Sequence, residues 1–197
     1  MKLNTAERLM VNNPIRVFFQ MQIVKWMKRA HPFNTGPRVL EIGCGRGAGV
    51  DLVTRYFRPS SLVAVDMDER MIRAAEHRFI QSHKNHVRLS VAEATALPFK
   101  GHSFDAVFAF GVLHHVPDWP RAASEIARVL DDGGYYYLEE YYPASYQNAI
   151  TRHILKHPEE NRFVGWDLIQ ELRRQGLRLV RRYEIKGLGV LAVLRRA

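Results

Sequence analysis

Short apolar runs alternate with amphipathic segments along most of the chain, and this alternation predicts its secondary structure. The apolar runs are rich in β-branched residues, which is typical of buried parallel strands, whereas the segments between them place apolar residues at helical spacing. Strands are predicted at 39–42, 62–65, 86–91, 104–110 and 135–142, helices at 47–57, 68–82 and 119–130, and a turn at 131–134. Because parallel neighbours need long crossover connections, this order predicts an α/β fold with a doubly wound sheet.

The two ends of the chain differ from this regular alternation. Two helical pieces are predicted within residues 4–30, with Pro14 in the first turn of the second piece. The second piece has a broad apolar surface, formed by Ile15, Phe18, Phe19, Ile23, Trp26 and Met27. We expect this helix to pack on the domain or to cover the site as a lid, and contact with a membrane surface is the alternative.

The C-terminal part is predicted to end the sheet. Its predicted elements are helices at 146–156 and 166–175 and strands at 177–185 and 188–194. The two strands are joined by a short turn that contains Gly187, so they are expected to be antiparallel. The whole chain, 1–197, is therefore expected to be one domain with an N-terminal helical segment (1–34), a core (38–140) and a C-terminal part (141–197).

A glycine-rich turn follows the first predicted strand. Gly43, Gly45 and Gly47 have no Cβ atom that would keep a ligand from the backbone, so the turn is typical of a nucleotide-type site. The spacing also fits the dinucleotide fingerprint in its variant with alanine last, and Asp66 lies at about the distance of the ribose-binding acid. The turn alone therefore leaves the ligand open.

Composition limits the class of protein. A chain of 197 residues with 47% hydrophobic content is sufficient for one packed core. Its single cysteine, Cys44, forms no intrachain disulfide and is interpreted as a small turn residue rather than a nucleophile. No apolar run approaches the ~20 residues that span a bilayer, and the N-terminus lacks a signal-peptide pattern, so a soluble, cytoplasmic protein is expected.

The net charge allows an anionic partner but does not require one. Lys and Arg number 29 against 20 Asp and Glu, which gives a formal charge of +9. Such a surface attracts nucleic acid or acidic lipids, although a solvated basic face is the favoured explanation of the excess. Nucleic acid is therefore kept as an alternative partner.

Acidic residues near the ends of the first three strands distinguish between the ligands. In open α/β sheets the ligand lies beyond the carboxyl ends of the strands, where Glu41, Asp66 and Glu93 are located. Asp66 suits the ribose hydroxyls of any adenosine ligand. Two further carboxylates would repel the phosphates of a dinucleotide but would attract the cationic sulfonium and ammonium groups of S-adenosylmethionine. The acids therefore favour S-adenosylmethionine over NAD.

Six motifs in this order resemble the class I S-adenosylmethionine-dependent methyltransferases, most closely the branch that contains quinone-biosynthesis C-methyltransferases. The resemblance covers about residues 38–140, and its motifs lie at 39–47, 63–68, 92–99, 103–107, 112–116 and 125–134. Glu93 is a mild departure, because the family usually carries Asp there. The resemblance implies a Rossmann-like, seven-stranded, mostly parallel sheet with an antiparallel last strand.

The resemblance also implies a role for each cofactor-binding residue. The implied set is Glu41 for the ammonium group, Gly43, Gly45 and Gly47 for the methionine and ribose portions, Asp66 for the ribose hydroxyls, Met67, Glu93 and Ala94 for adenine, and Phe110 and Gly111 for the methyl-donor end. No metal is expected. An acceptor that loses a proton needs a base, and His115 and Glu140 are the candidate catalytic residues.

The predicted activity is therefore methyl transfer to a small, partly apolar acceptor. One alternative is an RNA methyltransferase that uses the basic surface, although no RNA-binding module and no Asn-Pro-Pro-Tyr-type motif is recognised in the sequence. The other is an NAD-dependent or non-catalytic nucleotide-binding protein. The sequence does not predict an oligomeric state.

Overall fold

The computed structural model describes residues 13–81, 87–146 and 162–197. These residues form one seven-stranded sheet in the order β3-β2-β1-β4-β5-β7-β6. The strands are β1 (Arg38–Ile42), β2 (Ser61–Asp66), β3 (Val87–Val91), β4 (Phe104–Phe110), β5 (Leu130–Tyr141), β6 (Leu177–Ile185) and β7 (Gly189–Arg196). Strands β1 to β5 pair in parallel, whereas β7 is antiparallel to both of its neighbours. The predicted fold class is confirmed.

Six α-helices and one 3₁₀ turn lie in the described part of the chain. The helices are α1 (Pro14–Ala30), α2 (Ala48–Phe57), α3 (Glu69–Gln81), α4 (Trp119–Val129), α5 (Pro143–Tyr146) and α6 (Gly165–Arg174), and the 3₁₀ turn is Leu113–His115. Helix α1 begins where Asn13 caps it, because the Asn13 side chain accepts a hydrogen bond from the Ile15 N–H at 2.9 Å. The helices predicted before residue 13 and within 147–156 lie outside the described residues.

Helices cover both faces of the sheet. Helices α1, α2 and α3 bury Val24, Val53 and Ile72 against one face, together with Tyr137 of β5. Helices α4 and α6 bury Ile126 and other apolar residues against the opposite face. This arrangement is the doubly wound architecture that the alternating pattern predicted. No helix among the described residues has the length and apolar content needed to cross a membrane.

The turn predicted at 131–134 is part of β5, which is a correction to the sequence-based boundary. Strand β4 pairs Phe104 with Leu130 and then Ala106 with Tyr135, so β5 accommodates extra residues as a bulge without losing its pairing. Gly133 allows the bulge with a φ of +76°. Arg38 stabilises it, since its guanidinium lies 2.7 Å from Asp105 and 2.8 Å from Asp131.

Candidate cofactor site

A cavity of about 380 Å³ lies beyond the carboxyl ends of β1, β2 and β4. The chain proceeds from β1 outward to β3 and then returns to β4 on the other side of β1, so the cavity lies where the strand order reverses. The predicted residues that line it are Glu41, Gly43, Gly45, Asp66, Met67, Glu93, Ala94, Phe110, Gly111 and His115. Gly47 and Glu140 are not among the lining residues.

The glycine turn is fastened to the end of β2. The backbone N–H groups of Gly43 and Cys44 both donate to the Val65 carbonyl, at 2.8 and 3.0 Å. The three glycines have positive φ angles, of +69° at Gly43, +52° at Gly45 and +83° at Gly47. This left-handed backbone, which favours glycine, turns the chain from β1 into α2.

Only one of these glycines has open space on the side where a Cβ atom would point. A Cβ at Gly45 would have no heavy atom within 4 Å. A Cβ at Gly43 would collide with Val112, and one at Gly47 would collide with the ring of Phe79. Close approach of a ligand therefore explains Gly45, whereas packing and backbone conformation explain Gly43 and Gly47. The predicted ligand-facing role of Gly47 does not fit its position outside the cavity lining.

Cys44 is a buried turn residue. Its side chain is 5% exposed, and its Sγ lies 3.8 Å from the Gly45 carbonyl. Burial, together with the charges of Glu41 and Asp66, raises the pKa of the thiol well above its ordinary value. A thiol held in its protonated form is a poor nucleophile, so Cys44 serves the shape of the turn. Within residues 13–81, 87–146 and 162–197, no group of three metal-ligating side chains could hold an ion.

Glu41 supplies an unpartnered carboxylate oxygen to the cavity. The residue is 1% exposed, and its Oε2 atom is buried without a hydrogen-bond partner in the part of the chain that the structure describes. Burial raises the pKa of Glu41 well above its ordinary range, and the nearby charges of Asp51 and Asp66 raise it further. A buried oxygen of this kind calls for a donor, and a cationic donor would also lower the cost of ionising the carboxyl group.

Binding of a ligand that carries an ammonium group is expected to release a proton from Glu41. A positive charge lowers the pKa of Glu41, so between the bound and free pKa values the complex holds fewer protons than the free protein. The affinity for this ligand should then rise with pH until the pH exceeds the pKa of Glu41 in the free protein. Calorimetric titration with S-adenosylhomocysteine in buffers of different ionisation enthalpy measures this proton release.

The matched variant for this experiment is Glu41→Gln. It should abolish the proton release and weaken binding, while the free protein becomes more stable at neutral pH because folding no longer requires a carboxylate to take up a proton. Glu69→Gln is the control, since the Glu69 side chain is 63% exposed and lies outside the cavity lining. Equal proton release by the wild type and Glu41→Gln would contradict the assigned role of Glu41.

Asp66 holds the turn and keeps acceptor capacity for a ligand. Its Oδ2 accepts from the Gly45 N–H at 2.9 Å, and its Oδ1 accepts from the Asp68 N–H at 2.8 Å. Burial raises the pKa of Asp66, and these two hydrogen bonds oppose that shift. Because each carboxylate oxygen has two acceptor positions, one on each oxygen is available for the hydroxyls of a ribose.

The loop after β3 is fixed by helix α4. Glu93 and Ala94 line the cavity in this loop, opposite Met67. Glu125 accepts the Leu97 N–H at 2.8 Å, and the guanidinium of Arg128 donates to two loop carbonyls, those of Leu97 at 3.0 Å and Phe99 at 2.7 Å. The loop is therefore held by side chains, which the sequence did not indicate as functional.

Glu140 has a structural position. Its carboxylate accepts the backbone N–H groups of Val112, Leu113 and His114 at 3.0, 2.8 and 3.3 Å. It also lies 2.8 Å from Nδ1 of His114, and the residue is 1% exposed. With its oxygens directed at the 3₁₀ turn and away from the cavity lining, Glu140 does not fit the predicted role of catalytic base. It is instead the residue that positions the His114–His115 segment.

The structure adds two cavity residues that sequence reasoning missed, Arg16 and Gln20 of α1. Arg16 makes an ion pair with Glu139 at 2.6 Å, and Gln20 is 6% exposed. A signal was present, because these polar residues precede Val24 and Met27 at helical spacing on the buried stripe of α1. Polar residues on a buried stripe point to a site beneath the helix.

Taken together, the fold and the cavity define an α/β protein that binds an adenosine ligand with a cationic group. A family model described as a methyltransferase domain matches residues 40–138 of the chain. The chain belongs to this family of S-adenosylmethionine-dependent methyltransferases, and S-adenosylmethionine, not NAD, is its cofactor. The buried oxygen of Glu41 suits the ammonium group of that cofactor, and the open space beside Gly45 suits its methionine and ribose portions.

Two relatives support this assignment. The chain is similar to phthiotriol/phenolphthiotriol dimycocerosates methyltransferase 1 of Mycobacterium ulcerans, with 33% identity over 58% of this chain and 41% of the relative. It is also similar to the fatty-acid O-methyltransferase of Mycolicibacterium smegmatis, with 36% identity over 51% of this chain and 36% of the relative. The matched region thus spans less than half the length of either relative.

The fold recurs in a solved structure of a SAM dependent methyltransferase from Aquifex aeolicus. The two chains cover each other fully, with a TM-score of 0.78 and 16% identity. At this level of identity the likeness establishes the fold alone. Neither this structure nor the relatives place the chain in the quinone-biosynthesis branch.

Proposed function

We propose that the protein transfers the methyl group of S-adenosylmethionine to a small, partly apolar acceptor. The observation that carries this proposal is a group of exposed apolar side chains at the start of α1. Ile15, Phe18 and Phe19 are 65%, 56% and 58% exposed, and they share the first two turns of α1 with Arg16, which lines the cavity. Large apolar side chains exposed beside a cavity are a common feature of sites for apolar ligands.

The hairpin between β6 and β7 adds two further exposed apolar side chains at the same end of the sheet. Ile185 and Tyr141 both pair with Gly189, so the hairpin tip lies level with the carboxyl end of β5. Ile185 and Leu188 are each 50% exposed there. We use the name apolar rim for these two residues with Ile15, Phe18 and Phe19. Two separate elements therefore present apolar side chains at the cavity end of the sheet.

The mechanism needs alignment and exclusion of water more than a strong base. S-adenosylmethionine, when bound, supplies an electrophilic methyl group, and charge is lost as the methyl group moves to the acceptor. Phe110 and Gly111 line the cavity at the end of β4, where they exclude water. His115 also lines the cavity, and its imidazole is the group that would accept a proton from an oxygen or an acidic carbon.

The names of the relatives support an apolar acceptor. Phthiotriol dimycocerosates and fatty acids are the compounds in the names of the two relatives described above. A quinone-type acceptor, which the resemblance of the motifs suggested, is a narrower version of the same proposal. Contact of the apolar rim with a membrane surface would bring such acceptors to the cavity, and it also belongs to the proposal.

Replacement of Phe18 by serine is expected to raise the KM for an apolar acceptor by about tenfold, because burial of an aromatic side chain against a ligand contributes roughly 1.5–3 kcal/mol. The affinity for S-adenosylmethionine should not change. Transfer of a labelled methyl group to a panel of fatty acids, hydroxylated lipids, quinols and RNA identifies the acceptor class, and the variant is then tested with the best acceptor.

The matched control for this prediction is Ile80→Ser. Ile80 is 75% exposed in the last turn of α3, at the end of the sheet opposite the cavity, so its replacement should leave both constants unchanged. If RNA alone is methylated, with a strong dependence on salt, the basic surface defines the acceptor and the proposal fails. Equal KM values for the wild type and Phe18→Ser with an apolar acceptor would remove the apolar rim from the site.

A further inference from the structure

Arg16 brings into the cavity a buried hydrogen-bond donor that has no partner among the described residues. Its Nη2 lies 2.6 Å from Oε2 of Glu139, whereas its Nη1 is buried and makes no hydrogen bond within this part of the chain. Arg16 lines the cavity, as does Gln20 one helical turn later. An unpartnered buried donor of a charged group is costly, so the arrangement calls for an acceptor in the cavity.

Glu139 pairs with only one of the two terminal nitrogens of Arg16. Its second oxygen, Oε1, accepts the hydroxyl of Tyr141 at 2.6 Å. The ring of Tyr141 lies 6.0 Å from the guanidinium carbon of Arg16, and so it also restricts the position of that side chain. Arg16 is therefore held with one nitrogen toward Glu139 and the other without a partner.

Arg16 and Glu41 act on the same side of the sheet. Strand alternation directs Glu41 to the face of Val39, and Glu139 to the face of Tyr137, and both of these residues pack in the cluster under α1 and α2. Strand β4 separates β1 from β5, and Glu139 is two residues beyond Tyr137, which is level with Glu41, so the backbones of Glu41 and Glu139 are about 12 Å apart at the usual strand dimensions. The carboxylate of Glu41 and the guanidinium of Arg16 therefore lie on one face of the sheet and line the same cavity.

We propose that Arg16, assisted by Gln20, binds the carboxylate of the amino acid portion of S-adenosylmethionine. Glu41 takes the ammonium group of the same portion, so the two side chains together match its opposite charges. The guanidinium is suited to this role because it can pair with two carboxylates at once through different nitrogens. Helix α1 is then part of the cofactor site. The inference rests on methyl-donor binding in the proposed function and is independent of the acceptor.

The experiment compares two ligands that differ only in this carboxylate, S-adenosylmethionine and decarboxylated S-adenosylmethionine. The dissociation constant of each is measured by calorimetry without an acceptor. The wild type should bind S-adenosylmethionine at least tenfold more tightly, because a charge-assisted hydrogen bond is lost with the carboxylate. Equal affinities for the two ligands would overturn the inference, whereas failure to bind either ligand would overturn the methyl-donor assignment and the inference with it.

A double variant tests the residue without leaving a buried charge unpaired. Arg16→Gln combined with Glu139→Gln should bind the two ligands with equal affinity and should keep the wild-type affinity for the decarboxylated one. The matched control, Arg73→Gln with Glu69→Gln, removes an exposed ion pair of α3 and should keep the tenfold preference. If the Arg16 double variant still binds S-adenosylmethionine more tightly than the decarboxylated ligand, the inference is contradicted. If that variant does not fold, equal affinities of the wild type for the two ligands would still overturn the inference.

Discussion

Replacement of Glu140 by alanine is expected to lower the free energy of unfolding by about 3–5 kcal/mol, since removal of one member of a buried polar network leaves its partners unsatisfied. The carboxylate accepts three backbone N–H groups and contacts the ring of His114. The residue is 1% exposed, so these groups are shielded from bulk solvent. Urea unfolding, followed by circular dichroism, measures the loss.

Two variants make this prediction specific. Glu140→Gln keeps one acceptor oxygen and should therefore lose less stability than Glu140→Ala. Glu69→Ala is the surface control, because the Glu69 side chain is 63% exposed and its ion pair with Arg73 should contribute at most about 0.5 kcal/mol. A free energy of unfolding for Glu140→Ala within about 1 kcal/mol of the wild type would show that the carboxylate does not support the 3₁₀ turn.

Asp66→Ala is expected to weaken the binding of S-adenosylmethionine by at least ~1.5 kcal/mol, the magnitude expected for hydrogen bonds to a charged group. The structure adds a second reason for a large effect. Asp66 also accepts the N–H groups of Gly45 and Asp68, so its loss releases the turn that faces the ligand. Calorimetric titration with S-adenosylmethionine checks the result.

The comparison of Asp66→Asn with Asp66→Ala separates these two contributions. Asparagine retains one oxygen for the backbone but presents an N–H₂ group where the carboxylate had an acceptor, so its affinity should lie between those of the wild type and Asp66→Ala. Asp132→Asn is the control, because its side chain is 73% exposed in the bulge of β5. Unchanged affinity in Asp66→Ala would refute the assignment of Asp66 to the ribose.

The acids at the strand ends could be predicted because they depend on local patterns. An apolar run that stops at a carboxylate marks both the end of a strand and a side chain at the edge of the sheet, and the cavity lining contains Glu41, Asp66 and Glu93. The reason for each glycine could not be predicted in the same way. Gly43 and Gly47 avoid collisions with Val112 and Phe79, which are distant in sequence.

The roles of Glu139 and Glu140 show the limit of strand alternation. Alternation predicts that two successive residues point to opposite faces, but it does not say which face carries the cavity. The register with β4, in which Glu139 pairs with Phe110, decides that Glu139 lies under α1 beside Arg16. Glu140 then points to the other face and holds the 3₁₀ turn.

The sequence by itself determined the α/β architecture, the position of the glycine turn and the acidic character of the cofactor site, because all three follow from periodicity and from residues close together in the chain. The tertiary structure alone decided which polar groups meet across that site. Arg16 and Glu139 are 123 positions apart, and their ion pair exists only because α1 packs over the end of β5. Contacts of that range depend on packing and register, which no local pattern encodes.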